Sequence, residues 1–323
     1  MYVLELAGQD DEFGAYEARS GATDVSILAP GLAVARGIDG VEQLAFTHRA
    51  SRLLGRSEPT LDGATAILEA TNLARDGSVA VRAVDVRSTT GIDTQATERA
   101  LGDILVERGF TVDLDDPDHE LRALFSAGPT GEVCALGWLA AASTRDFTTR
   151  KPSDRPFFQP GSMDPMLARA LVNIAGAGPD TRILDPMCGT GGLLIEAGLV
   201  GSTVLGSDVQ AKMLRGTSEN LAAFLGGDWE LLRGSADALA LADDSVDGVV
   251  FDTPYGRQSK IEGELETLVA DALAESRRVA SRCVVVGDRS WATQARSVGW
   301  SVDATFERRV HRSLTRYVLV LVE

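Results

Sequence analysis

The stretch Arg182-Ile183-Leu184-Asp185-Pro186-Met187-Cys188-Gly189-Thr190-Gly191-Gly192 decides the fold. Two apolar residues run into an acidic one, and a glycine-rich turn then opens onto the helical run Leu193-Leu194-Ile195-Glu196-Ala197. That order predicts a strand, a tight turn and a helix N-terminus. Glycines adopt positive φ and let the backbone approach a ligand closely, while a helix N-terminus presents free N–H groups to negative charge. A second run, Val204-Leu205-Gly206-Ser207-Asp208, ends in a carboxylate at the spacing expected of an acid that binds ribose hydroxyls.

Outward from this stretch, helices and strands alternate from Pro165 to Gly287, which specifies a mostly parallel sheet with helices on both faces, a Rossmann-like α/β arrangement. The runs Trp300 to Arg309 and Leu314 to Glu323 are β-rich and joined by a short basic connection, so the sheet is expected to close with an antiparallel hairpin. Between them, the strand Gly248-Val249-Val250-Phe251 runs into a second acid-bearing loop, Asp252-Thr253-Pro254-Tyr255-Gly256-Arg257. On its own that loop also reads as an ordinary turn after a strand.

The chain has 323 residues, enough for two or three units. It lacks an apolar run of the roughly 18 residues that a membrane span requires, and its N-terminus reads as a first strand, so a cytoplasmic location is expected. Cys134, Cys188 and Cys283 lie far apart and match no metal or disulfide spacing. The net charge is −16, which at first sight argues against nucleic acid. Yet only Lys151, Lys212 and Lys260 are lysines, leaving 28 of the 31 basic residues as arginine. An acid-rich, lysine-poor surface resembles proteins of salt-loving microorganisms, so the charge reports habitat rather than ligand. Molar salt screens charge over about 3 Å, and contacts would then matter more than steering.

Before Pro165, two smaller α+β patterns are expected. The first, to about residue 56, reads strand, helix, two strands and an amphipathic helix from Val41 to Leu54. The second, residues 57–142, reads as a helix over Thr60 to Asn72, a strand from Ser78, a helix over Asp93 to Arg108 and two strands. Residues 143–160 follow neither period and read as a locally basic linker.

With the glycine turn on the first strand, the acid on the second and Asp252-Thr253-Pro254-Tyr255 on the fourth, residues 161–323 resemble class I S-adenosylmethionine-dependent methyltransferases of the amino-group type. Those enzymes carry Asp/Asn-Pro-Pro-Tyr/Phe/Trp at this place; here Thr253 replaces the first proline. The resemblance implies S-adenosylmethionine as cofactor, held by Asp185, Cys188, Gly189 and Gly191, with Asp208 on the ribose hydroxyls and Asp252 bordering the site. Asp237 stands where the superfamily places an acid facing the adenine amine, and it reads also as a surface acid in a loop. Pro160, Gly161 and Ser162, within Arg155-Pro156-Phe157-Phe158-Gln159-Pro160-Gly161-Ser162-Met163, resemble a segment that covers the methionine end of the cofactor, the other reading being a packed linker.

The catalytic candidates are Asp252, Pro254 and Tyr255. The lone pair of an exocyclic amine is delocalised into its ring, and accepting its N–H groups on a carboxylate and a backbone carbonyl localises that pair toward the methyl group. Asp252 and the carbonyl of Thr253 or Pro254 supply those acceptors, and Tyr255 stacks on the base. C5-pyrimidine methylation would need a nucleophilic cysteine in this loop, which holds none.

The order of a ferredoxin-like start (1–56), a small α+β unit (57–142), a linker (143–160) and this catalytic domain (161–323) resembles the THUMP-containing RNA methyltransferases, and within them the archaeal group that dimethylates N2 of guanine 10 in tRNA. The resemblance implies a tRNA substrate and, in salt-loving archaea, a small zinc-binding activator protein. Candidate RNA contacts are Arg145, Arg150, Lys151 and Arg155, with Arg257, Lys260, Arg308, Arg309, Arg312 and Arg316 nearer the pocket; each alone reads more readily as a solvated surface charge, and their clustering in an acidic chain is what favours RNA. Methylation of guanine N2 at another tRNA position, action on DNA or protein glutamine, and an RNA-binding protein without activity remain alternatives.

Overall fold

The computed structural model describes residues 1–323 except 74–75, 228, 255–261 and 312–313. The chain forms two compact units, Met1–Thr144 and Arg145–Glu323. No helix among the described residues is long and apolar enough to cross a membrane.

The first unit contains strands β1 (Tyr2–Leu6), β2 (Ala22–Thr23), β3 (Ser26–Ala29), β4 (Leu32–Ala35), β5 (Gly37–Ile38), β6 (Thr47–Ser57), β7 (Ser78–Asp85), β8 (Thr111–Val112), β9 (His119–Gly128) and β10 (Gly131–Ala142), with helices α1 (Asp11–Ala18), α2 (Leu61–Ala70) and α3 (Thr94–Glu107). Eight strands form one sheet in the order β3-β4-β1-β6-β10-β9-β7-β8. Two expectations are corrected here. The helix expected from Val41 to Leu54 is a single 3-10 turn, Val41–Gln43, followed by β6. The buried Glu17 carboxylate accepts the backbone N–H groups of Ala45 (2.6 Å) and Phe46 (2.7 Å), taking from a helix the donors it would use itself. The expected boundary between 56 and 57 falls inside β6, which pairs with β1 on one side and β10 on the other, so both expected units share a sheet.

The second unit runs α4 (Pro165–Ile174), β11 (Arg182–Asp185), α5 (Gly192–Leu199), β12 (Thr203–Asp208), α6 (Ala211–Phe224), β13 (Trp229–Arg233), β14 (Gly248–Asp252), α7 (Glu262–Val279), β15 (Arg282–Gly287), α8 (Ala292–Ser297), β16 (Ser301–His311) and β17 (Leu314–Val322). Its sheet has the order β13-β12-β11-β14-β15-β17-β16. The first five strands are parallel, and β17 and β16 close it antiparallel, as the sequence predicts. Order reverses between β11 and β14. At such a switch point a crevice opens beyond the carboxyl ends of the strands.

The expected linker is largely built into this unit. Glu196 of α5, fully buried, receives Arg150 Nε at 2.6 Å and an Arg169 guanidinium nitrogen at 2.9 Å. Arg150, 2% exposed, also meets Asp146 at 2.8 Å, and the Phe147 ring lies against Arg145, Arg150 and Arg169. Arg155 Nε donates to the Arg150 carbonyl at 3.2 Å. These bonds fix residues 146–155 against α4 and α5 ahead of the helix cap at Asp164, whose carboxylate accepts from Met166 and Leu167 with Pro165 in first position.

Removing one partner of a buried ion pair strands the other without water. Glu196→Ala is therefore expected to cost about 3–5 kcal/mol of unfolding free energy. Urea denaturation checks this, and a loss below about 1 kcal/mol would mean that the arginines find other acceptors.

Candidate active site

The carboxyl ends of β11, β12 and β14 each carry an aspartate, Asp185, Asp208 and Asp252, at the switch point. Between them lie two adjoining cavities of about 220 and 270 Å³ that share Met187, Gly189, Met213 and Asp252. Asp185 opens into the first, beside Gly161, Ser162 and Cys188; Asp208 lines the second with Val209, Ser235, Ala236 and Pro254.

The glycine turn is held from below by α6. Gly189 and Gly191 have φ of +52° and +76°, and a Cβ on Gly191 would stand 2.7 Å from Thr217 Cγ2, so both backbone conformation and space require glycine there. Thr217 Oγ1 donates to the Gly189 carbonyl at 2.7 Å, and Asn220 Nδ2 donates to the Thr190 carbonyl at 2.9 Å. With the turn so placed, the Gly189 N–H reaches Asp208 Oδ2 at 3.1 Å, and Gln210 N–H fixes Oδ1 at 2.8 Å.

Asp185 is nearly fully buried. Burial drives its carboxyl well above the usual carboxylate range; the Met187 N–H at 3.0 Å opposes that, and the charges of Asp252 and Asp208 add to it. The same burial, reinforced by Asp185 and Asp208, pushes the Cys188 thiol up, so it forms pocket wall and stays protonated. Asp252 stands 3.4 Å from an Arg316 guanidinium nitrogen, which also donates to the Gly161 carbonyl at 3.3 Å. Three acids facing one groove suit a ligand that brings positive charge beside Asp185 and Asp252 and hydroxyl groups to Asp208.

The segment 157–162 closes the groove. Asn220 accepts the Phe157 N–H at 2.9 Å and donates to the Phe157 carbonyl at 2.8 Å, while Ser162 Oγ lies 3.1 Å from Thr190 Oγ1 and donates to the Gln159 carbonyl. Pro160, Gly161 and Ser162 all line the first cavity.

The structure thus brings together Pro160, Gly161, Ser162, Asp185, Cys188, Gly189, Asp208, Asp252 and Pro254 around one groove, with Gly191 supporting its floor as the N-cap of α5. Asp237 is exposed and one residue beyond the lining Ala236. Tyr255 lies outside the described residues, as do Arg257, Lys260 and Arg312. Among the candidate RNA contacts, Arg150, Arg155 and Arg316 are corrected: each is buried, the first in the Glu196 cluster, the second on the Arg150 carbonyl, the third beside Asp252. Arg145, Lys151 and Arg309 are exposed and Arg308 half-buried. Sequence reading missed Met187, Val209 and Met213. Val209 carried a signal, an apolar residue directly after a strand-ending acid, and it is 55% exposed within the second cavity's wall.

Thr253 is buried. Its N–H donates to the Val286 carbonyl at 2.8 Å, and its hydroxyl accepts from the Trp291 indole at 3.3 Å.

The profile of the family described as UPF0020, RMKL-like, methyltransferase domain matches residues 152–318. A tRNA (guanine(10)-N2)-dimethyltransferase of Methanothermobacter thermautotrophicus is 36% identical over 288 residues, covering 87% of this chain and 83% of that protein. A protein of the same name from Pyrococcus abyssi is 29% identical over 288 residues, covering 87% and 85%. Among solved structures, a possible methylase from Clostridium difficile 630 aligns over 99% of this chain and 97% of its own with a TM-score of 0.50 at 13% identity, a likeness of fold.

Two outcomes follow from the site's geometry. The unfolded Asp185 carboxyl loses its proton near its ordinary value of 3.8 while the folded one keeps it, so folded chain binds the proton more tightly and stability falls as pH rises above that value. Asp185→Asn, which keeps the acceptor for Met187, is expected to raise the ligand-free melting temperature at neutral pH and flatten its decline as pH rises above 3.8; parallel slopes for the two chains would contradict this. Thr253→Pro removes the donor to Val286 and leaves the Trp291 indole without its acceptor, so it is expected to lose about 2 kcal/mol or more in denaturant unfolding.

Proposed function

Because the chain belongs to the family of RMKL-like methyltransferase domains, we propose that it transfers methyl groups from S-adenosylmethionine to the exocyclic N2 of guanine in tRNA, at position 10 and up to the dimethylated product. The observation that carries the reading is Asp252 at the end of β14, on the wall common to the two cavities that fit the cofactor and with one oxygen held by Arg316, so that one carboxylate borders the cofactor groove along both its parts.

The residues present fit that cofactor. It is a cation at its sulfonium and ammonium groups, and the buried acid cluster of Asp185 and Asp252 suits such charge; Asp208, anchored by two backbone N–H groups, is placed for ribose hydroxyls; Val209, Ala236 and Leu268 offer apolar walls for a flat ring. When bound, S-adenosylmethionine supplies an electrophilic methyl group. The protein's own work is to hold the acceptor amine. Asp252 accepts one N–H, and the carbonyl of Thr253 or Pro254 accepts the other, directing the nitrogen lone pair at the methyl carbon, and Asp252 takes up the proton that the nitrogen sheds as the methyl leaves the sulfur for it. Arg316 engages one Asp252 oxygen and keeps the carboxylate oriented. The bonds of Thr253 to Val286 and Trp291 fix the backbone from which the loop starts.

The names of the relatives point to tRNA and to N2 of guanine. The first compact unit, Met1–Thr144, is assigned the RNA-gripping role that the THUMP resemblance implies, and the acid-rich composition is that of a cytoplasmic protein working in high salt. A small zinc-binding activator protein belongs to the same reading, tested by whether a tagged chain isolated from its own cells brings one down with it.

The direct experiment is methyl transfer from labelled cofactor to unmodified tRNA in molar potassium chloride, with the product nucleoside and its position identified. N2-methylated and N2,N2-dimethylated guanosine at position 10 is expected; methyl groups on another position, on DNA or on protein would replace the substrate reading. Asp252→Ala is expected to lower turnover at least about 100-fold with cofactor affinity changed less than about tenfold, since the side chain acts on the acceptor. Equilibrium cofactor binding separates the two, and loss of binding alone would reassign Asp252 to the cofactor.

A further inference from the structure

Among the described residues Phe158 is the one exposed aromatic ring, 45% accessible, in a chain whose other described aromatic side chains are buried or half-buried. Its base is rigid. Asn220 holds both the N–H and the carbonyl of Phe157, and the Phe157 ring packs so closely on α6 that a Cβ on Gly216 would lie 2.0 Å from it. Phe158 is therefore presented outward from a fixed backbone. The next two residues, Gln159 and Pro160, line the cavity that contains Asp185 and Asp252, which puts Phe158 on the rim of the groove.

A cation stands over the ring that precedes it. Lys212, one of only three lysines in a chain of net charge −16, holds its ammonium 5.8 Å from the Phe157 ring centroid, and Met213 after it lines both cavities. An exposed ring one residue along from a ring that carries an ammonium suits a nucleotide, the base stacking on the exposed ring and the phosphate within reach of the lysine. A guanine withdrawn from its stack into a pocket leaves its neighbour with one bare face, and an aromatic side chain at the rim replaces the lost partner.

We propose that Phe158, with Lys212 over the adjoining Phe157 ring, is the stacking platform for the nucleobase flanking the target guanine in the RNA. The surface rests on the tRNA reading given above, and it names a contact in the catalytic unit itself.

The test uses the full chain and unmodified tRNA, comparing the unaltered protein with Phe158→Ala, Phe158→Trp and Lys212→Gln. Phe158→Ala is expected to lose at least about fivefold in kcat/KM for tRNA, as base stacking on an aromatic is commonly worth that much or more. Its cofactor Kd and melting temperature should not change, Phe158→Trp should stay within about twofold of the unaltered chain, and Lys212→Gln should weaken tRNA binding. A 2-aminopurine placed beside the target guanine should be quenched by the unaltered chain and less so by Phe158→Ala. Transfer within about twofold of normal by Phe158→Ala, or an equal loss in Phe158→Trp, overturns the platform and leaves the tRNA reading standing. Absence of tRNA methylation by the unaltered chain would instead remove the tRNA reading, and this occupant with it.

Discussion

The site depends on one electrostatic constraint: the switch point of the parallel sheet sets three strand ends side by side, and each ends in an aspartate. Like charges that share a poorly solvated groove raise one another's proton affinity. Much of the surrounding architecture answers that repulsion. The glycine turn brings the Gly189 N–H to Asp208, the turn before it brings the Met187 N–H to Asp185, and β17 brings Arg316 to Asp252. At Asp185 burial outweighs the one N–H from Met187, and the charges of Asp252 and Asp208 add to it, which is why its proton affinity is raised.

A second dependence runs through the segment before α4. Glu196 fixes Arg150, the Arg150 carbonyl fixes Arg155, Asn220 fixes the backbone at Phe157, and Ser162 meets Thr190 on the glycine turn. Each contact joins this segment to an element that also shapes the groove, α5 through Glu196 and α6 through Asn220. The cover over the first cavity is thus held by the same side chains that hold its floor. Little ordering is left for binding to supply, which lowers the entropic cost of taking up a ligand.

What the sequence made legible was local. Asp185 to Gly192, Asp208 and Asp252 are readable because a strand end, a positive-φ turn and a helix start occupy consecutive residues, so composition and order alone specify them. Non-local features were not. Val41 to Leu54 carries helix-like apolar spacing, but Glu17, far away in sequence, claims the N–H groups of Ala45 and Phe46, and the following residues enter the middle of a sheet. The arginines at 150, 155 and 316 look like a solvated basic face because their acceptors, Glu196, the Arg150 carbonyl and Asp252, are visible only after folding. Asp237 stands exposed, one residue beyond Ala236 of the groove wall.

Thr253 shows how a motif position can change residue type without losing its place. A proline there would have a fixed φ and no donor. Threonine supplies a donor that extends the pairing of β14 with β15 by one bond, to Val286, and a hydroxyl that receives the Trp291 indole. Trp291 in turn packs so tightly on β15 that a Cβ on Gly287 would stand 2.4 Å from its indole nitrogen. The rigidity that proline's ring would provide by covalent restriction is here provided by hydrogen bonds to a neighbouring strand and a buried indole. The backbone that follows the acid is fixed either way, by two different physical devices.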